Sequence, residues 1–361
     1  MGMGKFLLEL TKMFSMYRWN TRPSLIKFTE ADNAYHGLVL SLFSVCSQES
    51  SRATRFLQKR IVKEFPKIVL SDISLDTKNR IILKNSSVWD KVLQSTYCDL
   101  KLIIDDETIN SAIFMEDSLS HEDSKKSALI SLLVALGEVQ LNRKIFPQYY
   151  SQSYEELKEK LQLMDYIGKD ELIELSESLF HTTLRLNTII RWNNNHRNVI
   201  SSVASHSFFV TASTLFLTII YGCDENTTYK ALAAAILHDL PEAFTGDVIT
   251  PTKKKVEGLE GIISEIENDF IDEWKESNSL IKEKMECLQD FMTNPFASDY
   301  GRIVRNSDIL AAMTECAVEI KTGNQNEIFR KAFFSSKKEL KKYSVKDISD
   351  ILDEIEYLTF F

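Results

Sequence analysis

The sequence predicts an all-α protein built as two tandem helical bundles. Three observations point there. Apolar residues recur at three- and four-residue spacing through most of the chain. Gly and Pro, the residues that interrupt helices, number only 11 and 6 among 361. A set of short motifs in the first half also returns, in the same order, in the second. With 44% hydrophobic residues the chain can bury a large core, in one large domain or two ordinary ones.

Taken in order, the first half opens with Arg18-Trp19-Asn20 and then His36, ahead of an apolar run. Residues 68–84 (IVLSDISLDTKNRIILK) form the one strand-like stretch. A boundary is expected near residues 160–168, giving domains 1–165 and 166–361. In the second half, periodicity predicts helices over 172–192, 203–221, 229–237, 262–292, 303–320 and 345–358. Ser201-Ser202 and Asp224 or Asn226 are candidate N-caps. Gly246-Asp247 and Thr250-Pro251 mark a loop. The apolar run 208–221 is too short for a membrane span and holds three Thr and a Ser, so it reads as a core helix.

Composition excludes several classes. A net charge of −9 provides no global basic field, so no long nucleic acid is expected as a partner. The five cysteines are scattered, with no CxxC pair, which argues against a disulfide scaffold or a zinc–thiolate site. Buried free thiols in a reducing cytoplasm are expected instead. No secretory segment is recognised, and Met-Gly-Met-Gly-Lys-Phe lacks the Ser/Thr of a myristoylation signal. A cytoplasmic protein without a membrane partner is the resulting expectation.

The halves align motif by motif. Arg18-Trp19-Asn20 matches Arg191-Trp192-Asn193, and His36 matches His206. Lys63-Glu64-Phe65-Pro66-Lys67, then Asp72 and Thr77-Lys78, match His238-Asp239-Leu240-Pro241-Glu242, then Asp247 and Thr252-Lys253. The stretch from Ser131 to Glu138 matches that from Asp308 to Glu315. A tandem duplication follows. At the matched positions the first copy carries Lys63, Glu64, Lys67 and Ser131 in place of His238, Asp239, Glu242 and Asp308. A charged lysine does not ligate a metal, so the N-terminal copy is expected to be degenerate and metal-free.

The second copy holds the chemistry. His206, His238, Asp239 and Asp308 each stand at the edge of an apolar helical run. Two imidazoles and two carboxylates can hold one divalent ion, of the set Mn, Co, Fe, Zn or Mg, and activate a water on it. A lone His at a helix start is more often structural; the joint pattern carries the metal reading. Pro241 should break the helix beside His238-Asp239. Glu242, three residues after Asp239 and four after His238, then shares their face if helical geometry continues, and can reach the water without being a ligand. Arg191 offers a fork for phosphate oxygens and Trp192 a flat face for a sugar, although the pair also fits a packed helix end.

These residues resemble the HD-domain phosphohydrolase superfamily, with its H…HD…D pattern, and within it the HD-domain 5′-deoxynucleotidase (YfbR-like) group. Arg191-Trp192, residues 203–207 (VASHS), residues 238–247 (HDLPEAFTGD), Thr250-Pro251-Thr252-Lys253 and Asp308 carry the resemblance, which spans about residues 170–360. It implies an all-helical fold and one divalent metal on His206, His238, Asp239 and Asp308. It further implies that Glu242 orients or deprotonates the attacking water, supported by Asp247. Arg191 would touch phosphate or sugar, Trp192 would pack on the sugar, and Lys253 would help hold phosphate. The implied reaction is phosphate release from (deoxy)nucleoside 5′-monophosphates. Ser205 departs from the group's usual acidic residue before this His. Group members are single-domain and self-associate; here the first copy would cover the surface a second subunit covers, and a homodimer stays possible. Two other readings are a phosphodiesterase of the same superfamily acting on cyclic or short oligonucleotides, and a nucleotide-sensing regulatory protein.

Overall fold

The computed structural model describes residues 2–70, 73, 75–114, 119–248 and 255–361. Among these the chain is helical, with no strand and two isolated β-bridges. The first half contains α1 (Met3–Leu10), α2 (Glu30–Val45), α3 (Ser50–Val62), α4 (Lys67–Leu70), α5 (Leu75–Lys84), α6 (Ser86–Ile104), α7 (Glu107–Ile113), α8 (His121–Arg143) and α9 (Pro147–Leu163). The second contains α10 (Lys169–Thr188), α11 (Val203–Tyr221), α12 (Glu225–Leu237), α13 (Glu242–Thr245), α14 (Leu259–Glu276), α15 (Ser279–Thr293), α16 (Asp299–Lys321), α17 (Glu327–Tyr343) and α18 (Ser349–Phe360).

Several boundaries follow from local chemistry. Ser202 caps α11 by accepting from the Ser205 N–H, and Asp224 caps α12 by accepting from the Thr227 N–H. Gly222 ends α11 with φ 66°, a conformation that glycine adopts at little cost. Asn278 accepts from the Leu280 and Ile281 N–H groups and starts α15. That cap divides the single helix expected over 262–292 into α14 and α15.

Residues 68–84, expected as strand-like, are instead helical at 68–70 and 75–84, in α4 and α5. A short apolar run does not distinguish strand from helix by its period, and packing of α5 along α6 decides the matter.

One hydrophobic core runs from Met3 to Ile355, across the boundary expected near residues 160–168. At its centre α11 packs on α2, α12 and α16, while α12 packs on α3. Among the described helices only α11 is long and apolar enough to cross a membrane, and it is mostly buried in this core. The two chain ends also meet. The Gly2 and Gly4 N–H groups donate to Glu354 Oε2 at 3.0 and 2.8 Å, and Phe6 lies edge-on to Phe216 at 5.1 Å. Cys46 and Cys316 are buried free thiols, whereas Cys98 and Cys287 are exposed, so burial holds for only part of the set.

The halves have like local geometry at the entry to α2 and α11. Trp19 and Trp192 have φ of 55° and 57°, unusual for bulky side chains. Bridges then join Tyr17 to Thr29 and Ile190 to Ser202, and Thr29 and Ser202 are the respective N-caps. In this register Asn33, four residues after its cap, corresponds to His206, four after its own. His36 is seven after the cap, so the expected match of His36 to His206 is corrected. His36 is a core residue, its ring edge-on to Phe28 and Phe180. Burial pushes its pKa down to about 4, which keeps it neutral.

Candidate active site

Three helices bring the metal-type ligands together. The first turn of α11 carries His206, the C-terminal end of α12 delivers His238 and then Asp239, and α16 carries Asp308. The ligand atoms of His206, His238 and Asp239 lie within 4.8 Å of one another. His206 Nε2 is 3.2 Å from Asp308 Oδ1 and 3.8 Å from Asp239 Oδ2, and His238 Nε2 is 3.1 Å from Asp239 Oδ2. The expected break at Pro241 is present: α12 ends at Leu237, and α13 begins at Glu242.

The backs of both imidazoles are held. His206 Nδ1 is 3.2 Å from Glu315 Oε1, and His238 Nδ1 is 2.8 Å from the Ala235 carbonyl oxygen. When each Nδ1 carries the proton, both Nε2 lone pairs face the carboxylates, as metal ligation needs. His238 Nε2 and Asp239 Oδ2 are buried and make no aligned hydrogen bond. A buried nitrogen and carboxylate oxygen left in this way suit a cation between them, so the residues fit a divalent ion.

The electrostatics agree. Burial and Arg191 both disfavour a charged His206, but hydrogen bonds to Asp308 and Glu315 outweigh them and raise its pKa to about 9 without metal. Burial opposes charge on Asp239, Asp308 and Glu315, yet their cationic neighbours hold all three well below the usual carboxylate range. A divalent ion would replace the proton on His206.

Glu315 was missed as a site residue by sequence reasoning, which used it only as an alignment landmark. It lies two helical turns after Asp308 on α16, so its place on the same helix face was the available signal. Its carboxylate binds His206, takes the Trp192 indole N–H at 3.0 Å, and lies 3.7 Å from Arg191 Nε. Arg191 also approaches Asp239 at 3.8 Å. Trp192 therefore has a structural role, with its ring 5.7 Å from Phe329. Arg305, also missed, forms an ion pair with Asp308 at 3.0 Å and lies over Phe296, whose ring meets His238 edge-on.

Glu242 opens α13 and contributes to the fields at Arg191 and Tyr35. Asp247 is half-buried and its pKa is raised, chiefly by burial. Lys253 lies outside the described residues.

At Ser205 a carboxylate arrives from the other half. Asp32 Oδ1 accepts from Ser202 Oγ at 2.5 Å and from Ser205 Oγ at 2.7 Å. The first-half counterpart of the Glu315 cluster uses the same connections: Arg18, Trp19 and Asn33 all donate to Glu138.

Comparison with known proteins places residues 178–357 in a match to the family described as 5′-deoxynucleotidase YfbR-like. The chain is similar to a 5′-deoxynucleotidase of Shewanella oneidensis, 30% identical over 150 residues, covering 40% of this chain and 76% of that protein. Among solved structures, it is similar to an HD-domain phosphohydrolase from Listeria innocua at 24% identity and a TM-score of 0.42, covering 50% of this chain and 92% of the other.

Proposed function

This chain belongs to the YfbR-like 5′-deoxynucleotidase family, and from that we propose that it releases inorganic phosphate from (deoxy)nucleoside 5′-monophosphates. At the coarser level it is a metal-dependent phosphohydrolase. The observation that carries the site reading is the pair of buried, unbonded atoms, His238 Nε2 and Asp239 Oδ2, beside two imidazoles held from behind.

In this reading His206, His238, Asp239 and Asp308 hold the ion. When bound, it supplies Lewis-acid charge and lowers the pKa of a coordinated water to roughly 7–9. Glu242 takes the proton of the attacking water, and Asp247, whose pKa is raised chiefly by burial, supports it. Arg191 stays charged under the carboxylates around it and faces the phosphoryl oxygens. Arg305 and Lys253 are the further cations at the phosphate, and Trp192 borders the sugar. Glu315 keeps the His206 proton on Nδ1. The acidic net charge gives no support to a long polynucleotide substrate.

The test is phosphate release by metal-loaded protein across ribo- and deoxynucleoside mono-, di- and triphosphates, with Asp239→Ala as control. Release confined to monophosphates and lost in the variant is the expected result. Turnover of a cyclic or oligonucleotide phosphodiester, with monophosphates inert, would replace this reading with the phosphodiesterase one.

A further inference from the structure

The first-half cluster that corresponds to the metal site carries the opposite charge. Lys63 Nζ and Arg60 Nη1 both donate to the Ser131 hydroxyl oxygen, at 2.7 and 2.9 Å, while Ser131 donates onward to the Ser127 carbonyl oxygen at 3.1 Å. Two cations thus converge on one neutral oxygen. Arg60 is buried, and its other bonds run to Ser41 Oγ, Ser127 O and Ser127 Oγ, all neutral acceptors. It is accommodated because residue 37 is glycine, where a Cβ would stand 2.5 Å from Arg60 Nη2.

The nearby carboxylates are engaged elsewhere. Glu138 and Glu30 bind Arg18, and Lys67 lies 2.5 Å from both Glu30 and Glu64. Among the described residues the group has five cations, Arg18, Arg60, Lys63, Lys67 and Lys78, against three carboxylates, Glu30, Glu64 and Glu138. Five less three leaves two positive charges when Lys63 is protonated, a state that a bound anion favours, and such a surplus in a partly buried place calls for a counterion. Among the described residues, no carboxylate lies at ion-pair distance from Lys63 or Arg60. Lys63, Lys67 and Lys78 are only half-buried, so the cluster is open to solvent.

We propose that the cluster around Lys63 is a binding site for a phosphate dianion, either free or as the phosphate of a nucleotide. A phosphate monoester carries about −1.5 to −2 charges at neutral pH, which matches the surplus. The Lys63 and Lys78 ammonium groups hold its oxygens, and Arg60 supplies charge from beneath. The location gives the ligand a route to influence turnover, since α3 ends one residue before Lys63 and packs on α12, which ends at Leu237, next to His238.

The test uses the full chain with Asp239→Ala, stripped of metal, titrated calorimetrically with inorganic phosphate and with a deoxynucleoside monophosphate. Saturable binding that is weakened at least tenfold by Lys63→Met and by Lys78→Ala is expected, apart from any binding at the second-half site that these substitutions leave unchanged. The second substitution removes a half-exposed side chain and guards against misfolding of the first. Equal affinity for both probes identifies free phosphate as the ligand; tighter nucleotide binding identifies the nucleotide. Absence of saturable binding, or binding unchanged in both folded variants, overturns the proposal. Lys63 and Lys78 lie outside the second-half site, so a loss of binding on their substitution is independent of the substrate proposed for that half.

Discussion

Glu315 organises the site although it need not touch metal or substrate. It neutralises buried Arg191, anchors Trp192 and fixes the His206 tautomer. Glu315→Gln keeps the shape but leaves Arg191 without its strongest partner. Removing one member of a buried ion pair costs about 3–5 kcal/mol, and loss of a His-orienting group weakens metal binding about 10–100-fold. Urea denaturation and metal titration of this variant check both figures. Lys63 gives a pH prediction. Burial and the cations Arg60, Lys67 and Lys78 push its pKa down to about 7, from an unfolded value near 10.5. Between those values the unfolded chain binds the extra proton, so stability from this group rises with pH. The stability–pH curve of Lys63→Met should lack that rise between pH 7 and 10, and identical curves for variant and parent would refute the assignment.

Among the elements, the entries to α2 and α11 act as one unit. Thr29 and Ser202 cap the two helices, and Asp32 both completes the Thr29 capping box and accepts from Ser202 and Ser205. Loss of an N-cap typically costs about 0.5–2 kcal/mol. Ser202→Ala and Asp32→Ala should each cost an amount of that order. Because the residues are directly bonded, the double variant should cost clearly less than the sum. Additive losses in a double-mutant cycle would show that the two caps act independently. The unusual φ of Trp19 and Trp192 belongs to the same device, since both rings must turn back onto Glu138 and Glu315.

For the whole molecule, the shared core makes the second half dependent on the first. Residues 166–361 expressed alone would expose the faces of α11 and α12 that α2 and α3 cover, together with Phe216, which packs on Phe6. That fragment should aggregate or lose cooperative unfolding, while the full chain should melt in one calorimetric transition. A soluble, cooperatively folded fragment would instead support the two-domain division. The sequence by itself determined the all-helical class, the main helices of the second half, the caps of α11 and α12 to within two candidates each, and the identity of the candidate ligands. Periodicity, capping preference and ligand chemistry are local properties, readable within a few residues. Only the tertiary structure decided that Asn33 rather than His36 stands four residues after its helix cap, as His206 does after its own, that residues 75–84 coil against α6, that Glu315 stands behind His206 from 109 residues away, and that Asp32 reaches Ser205 across the halves. The helices α2 and α11 are buried nearly all round, with no single apolar stripe, so their sequence does not specify a partner or a register. Packing of whole helices against one another sets both.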